Sequence, residues 1–426
     1  MNTREIIQQS LDFIEYNIKT EITIDELCAV AGYSFTHYSK LFKNVVGMTP
    51  SRYMLRRKLL YTVYEMSIGK TKLDIALDYG FETYAGFYKA FKREFSCSPT
   101  EFTKNHKGAK PYKINILQEE HIMISKSEIA KILIHWNLEN ETITDIYNKN
   151  TDTKNENAFY VGKNYVVKFS ADLGRINKSI NISNQLFTVG LPCAKVLKTT
   201  DGKDYIQYGE LFFIVTEKLN GTQLKCKDIY TDAQIAFQIG ENIAKLHSAL
   251  KTFDDTEFEK VNICKNVLNS ALPKVREIMQ LPDEFTDDYI KSFESIYKQL
   301  PTQIIHRDIN PSNMIFDNGE FKGFIDFDLS EVNIRIFDIC YCATAIWSET
   351  FVDENVDNEI WLEIFNNIVK GYNNISPLTN EEKSALKYVV YSIQIICIAY
   401  FSKFDKYETL TKINVDMLNY LVHNYN

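Results

Sequence analysis

The sequence predicts a protein of several domains, in which an all-α N-terminal region precedes a larger α+β body. Two observations support this division. The first hundred residues repeat a helix–glycine–helix pattern at an offset of 48 to 49 residues, and a series of strand-like segments begins after it, near residue 158. A third observation is the stretch His306 to Asp328, where polar residues flank a short hairpin motif. The length of 426 residues allows two or three domains with sizeable cores.

The composition is that of an ordinary globular protein, with 45% hydrophobic and 24% charged residues. The N-terminus leads directly into a polar helical pattern, and the longest apolar run, residues 388–401, contains Ser392 and Gln394. We therefore expect neither a signal peptide nor a membrane span. The eight scattered cysteines form no C-x-x-C motif, which favours a reducing, cytoplasmic location.

The net charge is distributed unevenly along the chain. Residues 1–107 carry a net charge of +3, whereas residues 108–426 carry −11. A basic excess at one end of an acidic protein indicates a nucleic-acid partner at that end, although this signal alone is weak.

The N-terminal repeat aligns Gly32-Tyr33-Ser34 with Gly80-Phe81-Glu82. The pattern predicts seven helices, over residues 3–18, 23–31, 35–46, 51–67, 71–78, 83–95 and 99–105. In the second helix of each copy, an apolar stripe lies opposite a polar and basic face. Such a face on the helix that follows a glycine turn fits a helix in the major groove of DNA.

The motifs G-Y-S…Y-S-K-L-F-K…G-M-T-P and G-F-E…F-Y-K-A-F-K…C-S-P resemble the DNA-binding domain of the AraC/XylS family of transcription regulators, over residues 5–105. The resemblance implies double-stranded DNA as a partner. It implies base contacts near Thr36, Ser39, Lys40, Tyr84, Tyr88 and Lys89, and phosphate contacts from His37, Lys43 and Lys92. The alternative is a helical domain whose solvated basic face binds no DNA. Family members usually carry this domain at the C-terminus, whereas here it comes first.

The hairpin motif in the second half centres on Asn318-Gly319, which suits a type I′ turn between two apolar runs. Regular pairing outward from a two-residue turn brings Asn313 and Asp326 to the open end of the hairpin. Two oxygen ligands that converge on one spot suit a hard cation such as Mg²⁺. Asp308 lies five residues upstream of Asn313, close enough to face the same spot and accept a proton from a substrate hydroxyl.

The pattern H-x-D-x-x-x-x-N, followed thirteen residues later by the first Asp of I-D-F-D, resembles the catalytic loop and metal-binding Asp of the kinase fold. The I-D-F-D ending resembles the aminoglycoside phosphotransferase/choline kinase-like family. The resemblance implies that Asp308 is the catalytic base, that Asn313 and Asp326 hold Mg²⁺, and that ATP or GTP donates the phosphoryl group. The alternative is a hairpin with polar ends and no chemistry.

Strand-like runs are predicted over residues 158–161, 165–170, 194–197, 204–208 and 212–218, with a helix over 173–189. This order resembles the N-lobe of a kinase-like fold. The resemblance implies that Lys168 contacts nucleotide phosphates and that backbone groups of Glu217 and Leu219 bind the base. A strand lysine and an edge strand followed by a turn would explain the same residues without a nucleotide. Residues 162–209 contain no Glu, so the helix Glu that usually pairs with such a lysine is missing.

These patterns predict a DNA-binding domain over residues 1–107, a linker over 108–125, and kinase-like N- and C-lobes over 126–222 and 223–426. An acidic cluster of Glu349, Asp353, Glu354, Asp357 and Glu359 either attracts a cationic small-molecule acceptor or forms a solvated helix face. Three functions remain open. The body is a ligand sensor for the regulator, an active kinase of a small-molecule hydroxyl, or a protein kinase, which the lack of an A-P-E-like segment disfavours.

Overall fold

The computed structural model describes residues 2–95, 97–106, 108, 110–117, 124–150, 153–352 and 357–425. The chain forms two compact units, one of Met1–Tyr147 with Asp152–Lys163 and one of Asn148–Thr151 with Asn164–Asn426. The first unit begins with a run of helices, and the second combines strands with helices. The predicted fold class, an all-α N-terminal region before an α+β kinase-like body, is therefore confirmed. The predicted division into four segments stays a prediction.

The seven predicted N-terminal helices are all present. They are α1 (Thr3–Tyr16), α2 (Ile24–Ala31), α3 (Phe35–Val46), α4 (Pro50–Ser67), α5 (Lys72–Asp78), α6 (Tyr84–Phe95) and α7 (Pro99–Asn105), and α8 (Lys126–Leu133) follows. The turns before α3 and α6 contain Gly32 and Gly80, whose φ angles of 71° and 76° are left-handed. This conformation is one that glycine adopts at little cost, which explains why the repeat preserves it.

The core of the first unit is built from the apolar stripes of the two repeats. Tyr38 and Phe42 of α3, and Phe87 and Phe91 of α6, are fully buried in one hydrophobic cluster. Because side chains four residues apart share one face of a helix, burying these stripes turns the opposite faces of α3 and α6 outward.

The chain that leaves α7 returns to pack against α1. The side-chain amide of Gln8 donates to the carbonyl of Ile114 (3.0 Å) and accepts from the N–H of Ile116 (2.8 Å). Gln8 thus imitates the backbone of a neighbouring strand, and Ile114 and Ile116 are buried in the core of the first unit. Residues 112–117 are thereby fixed to the helical repeats as a strap.

A buried ion pair supports the same strap. The Arg57 guanidinium binds the Glu15 carboxylate, with 2.9 Å between Nη2 and Oε2, and also donates to the carbonyl of Tyr112 at 2.7 Å. Tyr61 donates its hydroxyl to the same carboxylate. A buried charge pair is stable only when its remaining hydrogen-bonding positions are filled, and here α1, α4 and the strap fill them together.

Two strands complete the first unit. Strand β1 (Ile143–Tyr147) pairs antiparallel with β2 (Lys154–Val161). Strand β1 lies within residues 138–157, which the sequence analysis left without a strand because polar and turn-forming residues surround its short alternating pattern. The buried Asp145 in β1 pairs with Lys126 (3.0 Å) and Lys154 (2.7 Å), which fixes the hairpin to α8.

The second unit begins with β3 (Tyr165–Ser170), α9 (Leu173–Thr188), β4 (Ile206–Tyr208) and β5 (Leu211–Glu217). Strand β5 pairs antiparallel with β3 on one side and β4 on the other. The strand predicted over residues 194–197 does not form. Instead, isolated bridges at Cys193 and Val196 replace it, with the N–H of Leu197 bonded to Val215.

The larger part of the second unit is mainly helical. Its strands are β6 (Thr222–Gln223), β7 (Thr302–Ile305), β8 (Met314–Asp317), β9 (Glu320–Phe324) and β10 (Glu331–Ile334). Its helices are α10 (Cys226–Thr231), α11 (Ala233–Leu250), α12 (Ile263–Asn266), α13 (Leu272–Ile278), α14 (Asp283–Asp288), α15 (Glu294–Tyr297), α16 (Ile336–Thr350), α17 (Ile360–Ile375), α18 (Asn380–Phe401) and α19 (Glu408–Asn424). Strand β8 lies between β6 and β9, and β7 pairs with β10.

Helix α18 is the one helix among the described residues that is long and apolar enough to cross a membrane. In the structure, 61% of its most apolar window is buried inside the protein. Val389, Ile393 and Ile398 lie in the hydrophobic core of the second unit. This burial is typical of a core helix, as the sequence analysis expected for residues 388–401.

Replacing Gln8 with alanine tests the strap. The Gln8→Ala substitution leaves two buried backbone groups without partners, each of which costs about 1–3 kcal/mol. We expect the free energy of unfolding of the first unit to fall by roughly 2–4 kcal/mol in urea denaturation. The control is Gln9→Ala, at the next and exposed position, which should change stability by less than about 0.5 kcal/mol. Equal stability of the two variants would contradict a structural role for the strap.

Candidate functional site

The hairpin of β8 and β9 has the predicted turn but not the predicted register. Asn318 and Gly319 have φ angles of 49° and 80°, as a type I′ turn requires. The pairing that begins regularly at the turn shifts by one residue between Ile315 and Phe316, where a bulge interrupts the ladder. Regular pairing outward from the turn was therefore wrong beyond Phe316, because a sequence pattern of period two does not reveal a bulge.

The bulge places Gly323 in a position that only glycine fits. Its φ angle is 141°, and an added Cβ would lie 2.7 Å from the carbonyl oxygen of Pro192 and 2.9 Å from a methyl group of Leu219. The shifted register also lets the N–H of Ile325 bond to the carbonyl of Asn313 at 3.0 Å. Asn313 consequently lies opposite the residue before Asp326, at the open end of the hairpin.

One buried carboxylate holds the loop that carries Asp308. Asp338 on α16 accepts hydrogen bonds from the backbone N–H groups of His306 and Arg307, each at 2.8 Å. It also bonds to Nε2 of the buried His247 at 2.9 Å. Arg307 has a left-handed φ of 72°, which is unfavourable for an arginine unless its surroundings enforce it. The hydrogen bonds that Asp338 accepts from His306 and Arg307 hold this conformation and so fix the direction of Asp308.

The Asp308 carboxylate accepts three side-chain hydrogen bonds. Tyr341 donates its hydroxyl to Oδ1 at 2.9 Å, and the amide of Asn310 donates to the same oxygen at 3.1 Å. The amide nitrogen of Asn313 donates to Oδ2 at 2.9 Å. Burial raises the pKa of the Asp308 carboxyl above its ordinary value, and the negative charge of Asp326 adds to the rise. The carboxylate is therefore held in one orientation with increased basicity.

The residues at this place fit a hard divalent cation. Because the amide nitrogen of Asn313 is bonded to Asp308, its amide oxygen is the atom that would bind a metal. Asp326, with a left-handed φ of 73°, adds a carboxylate. Burial alone would raise the pKa of Asp326, but the Lys168 ammonium holds it at about 2, so the ligand is ionised. Oxygen donors of this kind suit Mg²⁺. No cluster of three or more His, Cys, Asp or Glu side chains with metal-site geometry occurs among the described residues.

Lys168, in the middle of β3, reaches the same place. Its ammonium contacts the Asp326 carboxylate and lies 3.2 Å from Oδ2 of Asp328. Burial raises the pKa of Asp328 to about 6, with a further rise from the charge of Asp326 and an opposing effect of Lys168. The structure thus brings Lys168, Asp308, Asn313 and Asp326 together, as the sequence pattern predicted.

The predicted base-binding residues lie at the end of β5. The N–H of Glu217 already donates to the carbonyl of Lys195 at 2.8 Å, so its own carbonyl is the group that could accept from a purine. Leu219 lies two residues beyond the strand, with its side chain against Gly323 at the bulge. The segment after β5 therefore packs against the bulge of the β8–β9 hairpin.

The predicted DNA-contacting residues lie on the outward faces of α3 and α6. The exposed members are Thr36, His37, Lys40 and Lys43 on α3 and Tyr84, Tyr88, Lys89 and Lys92 on α6, and Ser39 is partly buried. Tyr84 and Tyr88 are each 36% exposed although both are aromatic. Exposed aromatic and basic side chains on one helix face suit contact with bases and phosphates.

Lys43, a predicted phosphate contact, is already paired with a carboxylate of the protein. Its ammonium lies 3.0 Å from Oε1 of Glu128, the third residue of α8. The pKa of the Glu128 carboxyl, which burial would raise, is lowered by this ammonium and by Ser125. A phosphate that binds Lys43 must therefore displace the Glu128 carboxylate. Among the described residues, Lys92 on α6 forms no ion pair, so a phosphate there displaces no carboxylate.

Sequence analysis missed three residues at the site formed by Lys168, Asp308, Asn313 and Asp326. Tyr341 lies one helical turn after Asp338 on α16, so the i, i+3 spacing from the bracing Asp was an available signal. Asn310 follows Asp308 by two residues, but its role depends on a local turn that composition does not reveal. Asp328 was visible in the I-D-F-D motif, where it served only to mark the family.

The acidic cluster near α16 is only partly described. The Glu349 carboxyl accepts a hydrogen bond from the thiol of Cys226, and burial raises its pKa. Asp357 and Glu359 are exposed, and Asp353 and Glu354 lie outside the described residues. The cluster gives no support to a cationic acceptor.

Comparison with known proteins agrees with these two regions. A helix-turn-helix domain family model matches residues 27–105, and the phosphotransferase enzyme family matches residues 152–360. The Transposon Tn10 TetD protein of Escherichia coli is 33% identical over 101 residues, which cover 24% of this chain and 73% of TetD. The HTH-type transcriptional activator AarP of Providencia stuartii is 30% identical over 104 residues, which cover 24% of this chain and 77% of AarP.

A solved structure resembles the rest of the chain. The amicoumacin kinase hAmiN, determined in complex with AMP-PNP, Ca²⁺ and Ami, superposes with a TM-score of 0.52 over 68% of this chain and 92% of its own. At 14% identity, this similarity shows a shared fold. Taken with the two helix-turn-helix repeats and the Asp308 loop, these matches show that the chain belongs to the AraC-type helix-turn-helix transcription regulators and carries a kinase-fold domain of the phosphotransferase enzyme family.

Proposed function

We propose that this regulator binds duplex DNA through α3 and α6 and that its kinase-like domain binds Mg²⁺ with ATP or GTP and phosphorylates a hydroxyl of a small molecule. One observation carries the second half of the proposal. Asn313 bonds to Asp308 and Lys168 contacts Asp326, and this grouping supports phosphoryl transfer with Asp308 as proton acceptor, Asn313 and Asp326 as oxygen ligands, and Lys168 at the phosphates. We propose a cytoplasmic location, where nucleotide and DNA are both present.

Asp308 acts as the base in this proposal. The acceptor hydroxyl attacks the terminal phosphorus, the bond from that phosphorus to the bridging oxygen breaks, and the hydroxyl proton passes to Asp308. Tyr341, Asn310 and Asn313 keep the carboxylate pointed at the hydroxyl. General base catalysis of this kind contributes typically 10²- to 10⁴-fold. The raised pKa of Asp308 makes it a better proton acceptor than an exposed aspartate.

The other five proposed site residues bind the nucleotide or its metal ion. Asn313 and Asp326 hold Mg²⁺, which when bound neutralises charge on the phosphates. Lys168 contacts the phosphates from β3. The carbonyl of Glu217 and the N–H of Leu219 bind the purine edge. The similarity to a kinase determined with AMP-PNP and Ca²⁺ supports nucleotide and a divalent cation as ligands.

The second candidate function is a ligand sensor with weak or no catalysis. It is favoured by α9, which carries no Asp or Glu along its sixteen residues and so offers Lys168 no partner. A misplaced lysine would still bind nucleotide but would stabilise the transition state poorly. The two functions differ in turnover, since both bind nucleotide.

The DNA interface is tested by two substitutions on α6, one at a basic and one at an aromatic residue. Lys92→Ala should weaken binding to all sequences and reduce the slope of log affinity against log salt by about 0.9, since one phosphate contact is lost. Tyr88→Ala should instead reduce the preference for the operator over other sequences. Fluorescence anisotropy over a salt series measures both. We expect α3 and α6 to contact successive major-groove segments about one helical turn apart.

The controls for this prediction separate contact from net charge. Lys251→Ala, at the exposed residue that follows α11, removes the same charge and should leave the slope unchanged. Glu128→Gln frees Lys43 and should raise DNA affinity, an effect that the additional change Lys43→Ala abolishes. Absence of salt-dependent DNA binding by the full chain would refute the interface.

The phosphotransfer site is tested by two substitutions with different expected outcomes. Asp308→Asn should abolish phosphoryl transfer and leave nucleotide affinity nearly intact, because the base does not bind the nucleotide. Asp326→Asn should lose Mg²⁺-dependent nucleotide binding as well. The measurements are phosphate release with a panel of hydroxyl-bearing small molecules, and calorimetric titration of nucleotide with and without Mg²⁺. Asp317→Asn, at the tip of the same hairpin, is the control and should behave as the parent. Turnover by Asp308→Asn at the parental rate would exclude Asp308 as the base.

The path of the chain suggests how the two activities communicate. Strands β1 and β2 belong to the first unit, whereas residues 148–150 between them belong to the second. The Asn150 side chain bonds to the carbonyl of Leu224 and the N–H of Cys226, each at 3.0 Å, just beyond the proposed base-binding segment. Residues 148–150 are thus held in the second unit, while β1 precedes them and β2 follows them along the chain.

We therefore expect nucleotide to change DNA affinity, and operator DNA to change nucleotide affinity by the same factor, since coupling between sites is reciprocal. The factor should lie in the range of about 5 to 150. Anisotropy titrations of operator DNA with and without saturating Mg-nucleotide measure it, and Asn150→Ala should reduce it. Curves that coincide within about a factor of two would show that the two units act independently.

A further inference from the structure

Lys168 lies between two carboxylates. Its side chain is only 14% exposed, and its ammonium contacts Asp326 and lies 3.2 Å from Asp328, which is 12% exposed. A buried ammonium is stable only when anions compensate its charge. Asp326 is also the proposed metal ligand, so its charge is not available to Lys168 alone once a cation is bound. Asp328 is the carboxylate that stays with the lysine.

Helix α9 buries no carboxylate that could pair with Lys168 instead of Asp328. The residues that α9 buries are Ile176, Ser179, Ile180, Ile182, Ser183 and Leu186, none of which carries a charge. The same helix packs against the 3-10 turn Phe327–Leu329, which contains Asp328. Helix α9 therefore packs against the element that carries Asp328, and none of its buried side chains is charged.

We infer that Asp328 is the positioning residue of Lys168 and replaces a carboxylate on α9 in this role. The inference rests on the proposed function, since it assigns how the nucleotide-contacting lysine is held. Two carboxylates two residues apart then serve two cations, with Asp326 for the metal and Asp328 for the ammonium. Asp326 directly precedes the 3-10 turn that carries Asp328, so both anions come from one short segment of the chain.

The first arm of the test needs no nucleotide. Order in the Lys168 side chain is measured from ¹³Cε relaxation in lysine-labelled protein, with the signal assigned by Lys168→Met. In Asp326→Asn the lysine should stay as ordered as in the parent, because Asp328 still holds it. In the double variant Asp326→Asn/Asp328→Asn it should become mobile. Equal mobility in the single and the double variant would overturn the inference.

The second arm uses turnover. Asp328→Asn should lower kcat between tenfold and about a hundredfold, the loss expected from misplacing one group by about 1 Å. In the Lys168→Met background the same change should cause no further loss, because Asp328 acts only through the lysine. A further loss there would identify Asp328 as a metal ligand and overturn the inference. Asp317→Asn is the matched control and should leave kcat unchanged.

The two arms separate this inference from the proposed function. A parent protein that binds no nucleotide and shows no turnover would refute the proposed function, whereas the order of Lys168 in the first arm would still decide the role of Asp328. A parent that turns over, with Lys168 released in Asp326→Asn, would retain the function and refute the inference.

Discussion

The candidate phosphotransfer site depends on the burial of Asp338. A carboxylate inside a protein must receive hydrogen bonds or positive charge, and here it receives two backbone N–H groups and His247. Satisfying Asp338 forces Arg307 into a left-handed conformation that an arginine rarely adopts. The chain consequently turns sharply between His306 and Asp308. The direction of the proposed base is therefore set by a residue thirty positions later, on the helix behind the loop.

The same constraint links the loop to the hairpin. His306 bonds through Nε2 to the carbonyl of Ile325, directly before Asp326, at 3.0 Å. Asn313 bonds to both the backbone and the side chain of Asp308. Asp308, Asn313 and Asp326 are thus joined by short hydrogen-bonded links rather than by long paths through the core. Such preorganisation favours chemistry, because little rearrangement is needed when substrates bind.

Sequence patterns predicted the seven N-terminal helices because burial in the first unit follows the helical period. They also predicted the Asn318-Gly319 turn and the gathering of Asp308, Asn313 and Asp326. The bulge at Ile315 was beyond prediction, since it depends on the close approach of Pro192 and Leu219 to Gly323. Contacts between distant segments were equally hidden, as with the pairing of Lys43 with Glu128. Patterns report which face is buried, but not which partner covers it.

Lys168 on β3 shows the difference between a sequence pattern and the partner that a side chain contacts. The absence of Glu from residues 162–209 weakened the case for catalysis, because sequence comparison looks for the anion on the helix. The ammonium itself requires only an anion within a few ångströms, from whichever element supplies it. Asp328 meets that requirement from the turn under α9. A lysine held by Asp328 needs no carboxylate on α9, so the order of Lys168 and the turnover of the parent protein decide between kinase and sensor.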